Sequence, residues 1–262
     1  MAYRRKGKEM IFDTHAHYDD KQFQEDRSKL MEQMRENGIG TIVNVSARVD
    51  SWAATIQLTQ EYDFVYGAIG VHPDEVGNLT EAKFEEMKAF FENKKVVAVG
   101  EIGLDYYWDT NSHEVQEKWF VKQLELAKSK NLPVNIHSRD AAQDTMRILK
   151  QHGESLSGII HCYSYSKEVA REYVDMGYYL GIGGVITFQN AKKLKEVVKE
   201  TPLENLVLET DCPYLAPAPN RGKRNTSLNL KYVAGEIANI KSISPEEVIE
   251  QTAQNARKVY RL

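Results

Sequence analysis

Short apolar runs, nearly unbroken and rich in β-branched residues, alternate along the chain with longer segments whose apolar positions return every three or four residues. Eight runs have strand length: Met10–Thr14, Thr41–Val45, Phe64–Ile69, Val96–Val99, Val134–Ile136, Gly158–Ile160, Tyr178–Ile182 and Leu206–Leu208. Near-continuous apolarity is the mark of parallel strands covered on both faces. Between them, sets such as Phe84, Met87 and Phe91, or Leu194, Val197 and Val198, fall on one stripe of a helix. Eight β/α units in about 250 residues predict an α/β fold, a closed (β/α)8 TIM barrel. An open doubly wound sheet is the competitor. It lacks support, because no GxxxxGK[ST] occurs and Gly181-Ile182-Gly183-Gly184 lacks the third glycine of a dinucleotide loop. No Pro, Gly or Ser-rich linker divides the chain, so residues 10–262 read as one domain preceded by a basic extension, residues 1–9.

Composition narrows the class without naming an activity. The 262 residues are 42% hydrophobic and 27% charged, which excludes a disordered or collagen-like chain. No window approaches the roughly 18 uninterrupted apolar residues of a membrane span. Two cysteines, Cys162 and Cys212, cannot build a disulfide framework and suit a reducing compartment. The Arg4-Arg5 pair is followed by no apolar core long enough for an export signal, so a solvated tail and a cytoplasmic location are expected. The net charge of −4 argues against broad nucleic-acid binding, which cations drive. Because the first nine residues hold four cations and one anion, the remainder carries −7.

Chemistry concentrates at the C-terminal ends of the strands, where barrels of this kind place their active sites. The first strand runs into His15 and His17, which alternation places on one face. Gly100-Glu101 follows the fourth, His137 the fifth, His161 the sixth, and Glu209-Thr210-Asp211 the eighth. A lone His-x-His is a weak sign of metal. Four imidazoles and two carboxylates at five strand ends suit two divalent ions, Zn, Mg, Mn, Fe or Ni, sharing a carboxylate. Glu209, two residues before Asp211, is expected to orient a ligand. His72 is a candidate for substrate contact or for a structural hydrogen bond. His113 and His152 read as solvated positions, and Cys162 and Cys212 as packing residues turned away from the rim.

The motifs Phe12-Asp13-Thr14-His15-Ala16-His17, Gly100-Glu101-Ile102-Gly103-Leu104-Asp105-Tyr106 and Ile136-His137-Ser138-Arg139-Asp140-Ala141 occur with His161-Cys162-Tyr163-Ser164. Glu209-Thr210-Asp211-Cys212-Pro213-Tyr214-Leu215-Ala216-Pro217 and Arg221-Gly222-Lys223-Arg224-Asn225 complete the set. Together they resemble the TatD family of metal-dependent hydrolases within the amidohydrolase-like group, from about Met10 to the C-terminus. The resemblance implies a DNase, commonly a 3′ to 5′ exonuclease on single-stranded DNA or RNA. It assigns metal ligation to His15, His17, Glu101, His137, His161 and Asp211, with Glu101 bridging. Thr226-Ser227 departs from the proline many relatives carry there, which puts only the local loop in doubt.

On this reading a metal-bound hydroxide attacks phosphorus, and Asp211 orients it and accepts its proton. Arg139, Arg221, Lys223 and Arg224 are candidates to hold phosphates, the alternative for residues 221–224 being a solvated loop. Tyr106 and Tyr214 stack on bases or simply pack. The expected partners are single-stranded DNA or RNA ends, with no membrane; the oligomeric state stays open, a monomer included. Two rival activities remain, deacylation of D-aminoacyl-tRNA and hydrolysis of a small ester or amide; a non-catalytic interaction protein is the rival outside the enzymes.

Overall fold

The computed structural model describes residues 10–108 and 110–262; the basic extension, residues 1–9, lies outside them. Eight strands form one parallel sheet in sequential order: β1 (Ile11–Ala16), β2 (Ile39–Val45), β3 (Val65–Ile69), β4 (Val96–Asp105), β5 (Val134–Arg139), β6 (Gly158–Ile160), β7 (Tyr178–Ile182) and β8 (Leu206–Leu208). Bonds from Thr14 Oγ1 to Leu208 O (3.0 Å) and from His17 N to Cys212 O (2.8 Å) join β8 to β1. The sheet thereby becomes the (β/α)8 barrel that the spacing predicts.

One helix crosses over between each pair of strands: α1 (Arg27–Glu32), α2 (Trp52–Glu61), α3 (Glu81–Met87), α4 (His113–Lys130), α5 (Ala142–His152), α6 (Lys167–Asp175) and α7 (Lys192–Glu200). After β8 come α8 (Leu230–Lys241) and α9 (Pro245–Tyr260). The start of α9 shows why a helix forms there. Ser244 caps it by accepting the Glu247 N–H, proline occupies the first turn, and Glu246 and Glu247 meet the positive end of its dipole. Among the described residues no helix is long and apolar enough to cross a membrane.

The core has an outer shell between sheet and helices and an inner cluster. In the inner one, Phe12, Val43, Ile159, Tyr179 and Val207 pack with Val259 and Tyr260 of α9. Tyr260 Oη lies 3.0 Å from both Thr14 O on β1 and Asn135 Oδ1 on β5, so the last helix ties two strands on opposite sides of the barrel.

Five strands end at the expected residue and start within two residues of the expected one, but three extend further at their C-terminal ends. β1 continues to Ala16, β4 to Asp105 and β5 to Arg139. The apolar pattern stops where polar side chains begin, yet the backbone stays paired because those side chains turn into the barrel mouth. Two ladders are irregular at the same level. The β1/β2 register shifts between Asp13 and Ala16, and the β4/β5 register between Val99 and Ile102. Such shifts re-aim side chains, and here they flank His15 and Glu101.

Candidate metal centre

At the mouth of the barrel, His15, His17, Glu101, His161 and Asp211 converge. His15 Nε2 lies 3.2 Å from His17 Nε2 and 3.4 Å from Glu101 Oε2. His17 Nε2 lies 3.3 Å from Asp211 Oδ1 and 3.8 Å from Glu101 Oε2, and His15 Nε2 is 4.0 Å from Asp211 Oδ1. Ligand atoms about 2.1 Å from one ion in a tetrahedral array are about 3.4 Å apart. These five separations bracket that edge, so the donor set fits a divalent ion. His161 Nε2 stands 3.8 Å from Glu101 Oε1 and 3.6 Å from Asp211 Oδ1, with its ring stacked on His15 at 3.5 Å.

Neighbouring groups aim these ligands. Val45 O can only accept, so the 2.7 Å contact puts a proton on His17 Nδ1 and turns Nε2 inward. Glu209, fully buried, lies 3.1 Å from His161 Nδ1 and accepts the Cys162 N–H at 2.7 Å. The imidazole contact falls off the hydrogen-bond direction, leaving His161 Nδ1 and Glu209 Oε2 without partners among the described residues. A Cβ on Gly181 would overlap Glu209 Oε2, so glycine makes room for the carboxylate.

His137 is placed differently. Its Nδ1 lies 2.9 Å from Glu101 Oε1 and its Nε2 3.0 Å from Asp105 Oδ2, so carboxylates take both nitrogens and it joins the cluster only through Glu101. His72 packs edge-on against His137 at 4.2 Å, its Nε2 3.7 Å from Glu101 Oε1. The Asp74 N–H donates to His72 Nδ1 at 3.2 Å, which leaves Nε2 to carry the proton of a neutral ring.

Burial and charge work against each other throughout. Burial opposes a charged His17, but Asp211 overrides it and lifts the imidazole to about 10. Burial is likewise overridden at His137 by Asp105 and Glu101, which raise it to about 9. Burial and the neighbouring His137 lower His72 to about 3. Glu101 would be raised by burial, yet His72, His15 and His137 hold it well below the usual carboxylate range. Protons on His17 and His137 thus occupy positions that suit cations.

The centre lines a cleft of about 680 Å³ whose walls include Asp19, Asp20, Arg48, His72, Asp74, Glu75, Asp105, Trp108, Arg139 and Tyr214. Arg139 is therefore in the cleft. Arg221, Lys223 and Arg224 do not line it: Arg221 lies over the Phe188 ring at 4.4 Å, Lys223 is exposed, and Arg224 is paired with Asp26. Tyr106 is turned aside, its ring stacked on His113 at 3.5 Å and its hydroxyl donated to Asp144. His113 is otherwise exposed as expected, whereas His152 is half-buried.

Cys212 is buried in packing, as expected, but Cys162 is not turned away. β6 ends at Ile160 and Cys162 takes a φ of 46°, so alternation fails and Cys162 lines the cleft. Two carboxylates escaped the reading of the sequence. Asp105 was detectable, because it stands four residues beyond Glu101 on the same strand face. Asp13 gave no comparable signal. Fully buried, it accepts from Thr210 Oγ1, Ser227 Oγ and the backbone N–H groups of His15 and Thr210, and burial raises it to about 7.

A family model described as TatD related DNase matches residues 12–261. The uncharacterized metal-dependent hydrolase YabD of Bacillus subtilis (strain 168) is 44% identical, the alignment covering 97% of this chain and 100% of YabD. Its counterpart YcfH of Escherichia coli (strain K12) is 30% identical, with 96% of each chain covered. Among solved structures, YjjV, a TatD homologue of E. coli K12, superposes with a TM-score of 0.91 at 30% identity over 96% of this chain and 98% of its own.

Proposed function

The chain belongs to the TatD-related DNase family, and from that premise we propose that it is a divalent-metal-dependent hydrolase of phosphodiester bonds. Its substrates are DNA ends, with RNA ends of the same chemistry, degraded 3′ to 5′ from unpaired strands. The observation that carries this reading is the convergence of His15, His17, Glu101 and Asp211 donor atoms at 3.2 to 4.0 Å, in a cleft that Arg139 also lines.

His15, His17, Asp211 and Glu101 would hold one ion. Glu101, His161 and His137 would hold a second, once His137 gives up a proton it shares with the carboxylates. The chemistry such ions supply is Lewis acidity, which neutralises phosphoryl charge and brings the pKa of water down to about 7. The chain's own residues do the rest. Asp211, the partly exposed carboxylate of the group, accepts the proton of the attacking water. Arg139 takes a phosphate through its planar fork. His72, which lines the cleft, would donate its Nε2–H to a phosphoryl oxygen, and Glu209 holds His161 in place.

A time course on end-labelled single-stranded DNA tests the reading. Chelator should abolish shortening, and Mg²⁺, Mn²⁺ or Zn²⁺ should restore it. Shortening that persists in chelator, or its absence with every metal, overturns the proposal. One observation favours a second reading: Asp19, Asp20, Asp74 and Glu75 form an acidic wall that would suit the ammonium group of a D-aminoacyl-tRNA. Release of D-amino acid in a parallel assay, with no shortening of DNA, would select it.

A further inference from the structure

The loop that follows β4 places two large aromatic rings in solvent beside the metal centre. Tyr107 is 54% exposed and Trp108 59%, and across the barrel Tyr214, after β8, is 50% exposed. Burying such rings is the ordinary outcome of folding, so exposed rings on the rim of one cleft suit an occupant with a flat apolar face. Trp108 and Tyr214 both line the cleft, and β4 and β8 stand opposite each other in the eight-strand order.

These rings are held in position. Asp105 Oδ1 accepts the backbone N–H groups of Tyr107 (2.9 Å) and Trp108 (3.2 Å), while its Oδ2 faces His137. The Tyr214 hydroxyl donates to Asp20 at 3.2 Å. Arg139 lies 3.8 Å from the Tyr107 centroid and 5.5 Å from that of Trp108, and among the described residues it has no ion-pair partner. A stacked guanidinium keeps its N–H edge free for an anion.

Charge around the mouth is uneven. Asp19, Asp20, Asp74 and Glu75 lie on loops after β1 and β3, with Arg48 between them already paired to Asp50, whereas Trp108 follows β4 and Arg139 ends β5. A phosphate chain is repelled from the first arc and met by Arg139 on the second. An unpaired nucleobase next to that phosphate meets an indole, and stacking needs no sequence because every base has a π face.

We infer that Trp108, with Arg139 beside it and Tyr214 facing it, forms a stacking site for a nucleobase of an unpaired strand, so that the enzyme grips its substrate by base as well as by phosphate. This rests on the phosphodiesterase reading of the same cleft. Trp52 and Trp119 are buried, so Trp108 is the solvent-exposed indole and its fluorescence reports the site. The metal-loaded protein should be titrated with a short phosphorothioate oligothymidylate, which resists cleavage, and with an abasic strand of equal length and charge.

Quenching by the first and not the second is expected, with about tenfold tighter binding of the base-bearing strand, in keeping with the worth of one stacked base. Read instead by the fluorescence anisotropy of a dye-labelled strand, because the reporter indole is gone, Trp108→Ala should erase that difference and Trp108→Phe should retain most of it. Equal quenching by both strands, none by either, or an undiminished preference in Trp108→Ala overturns the inference. Base-dependent quenching without cleavage of an ordinary strand removes the nuclease reading and upholds the stacking site. Cleavage without base-dependent quenching does the reverse.

Discussion

Glu101 touches more of the centre than any other side chain described here, and its loss should be felt accordingly. Glu101→Ala should lower turnover by orders of magnitude while circular dichroism and the unfolding midpoint show a folded barrel; near-normal rates in that variant would remove the carboxylate from the mechanism. Glu209→Gln is milder. It keeps an acceptor for the Cys162 N–H but loses the charge facing His161, so metal affinity should fall about 10- to 100-fold, measured by competition with a chromophoric chelator. The raised imidazoles give a signed pH dependence. His17, near 10, and His137, near 9, carry protons in the metal-free chain at neutral pH, and an ion needs neutral rings. Metal uptake at pH 7 should therefore release protons, and apparent affinity should weaken as pH falls below that range. Calorimetry in buffers of different ionisation heat reads the release directly; a value of zero would contradict the arrangement.

At the scale of elements, the strand ends carry both the chemistry and the strain on legibility. Apolar runs such as Val134–Ile136 announce a strand because burial on both faces leaves one kind of residue, and that made eight units and their order readable. The same runs fall silent at His15, Glu101 and Arg139, where the backbone is still paired but the side chains are chosen for a ligand. Alternation then finds His15 with His17, and it could have found Asp105 from Glu101. It misplaces Cys162, because a left-handed φ follows β6. Arg224 was equally opaque, since nothing local to its loop reveals Asp26, almost two hundred residues earlier. Within β4, Gly103 has a φ of 146° and its absent Cβ would overlap the His137 carbonyl. Gly103→Ala should therefore push β5 away and destabilise the protein by about 2 to 4 kcal/mol in urea unfolding. An unchanged midpoint would show that the two strands can part without cost.

Taken as a whole molecule, a chain of net charge −4 is an awkward partner for nucleic acid. The awkwardness is resolved locally, because Arg139, at the end of β5, lines the cleft away from the acidic residues that follow β1 and β3. Few phosphates can be gripped at once. The logarithm of oligonucleotide affinity should fall with the logarithm of salt with a slope of about −1 to −2, since each neutralised phosphate of a single strand contributes about −0.7. A slope several times steeper would mean a long basic track that the described surface lacks. The seam between β1 and β8 has one more implication. His15 and His17 come near the start of the chain and Asp211 near its end, and the backbone bonds from His17 N to Cys212 O and from Asp211 N to His15 O bring them together. A nascent chain emerging from the ribosome therefore owns half a binding site for most of its synthesis. Completion of the cluster therefore comes late in synthesis, and a chain that stalls before residue 211 lacks the carboxylate that faces His17.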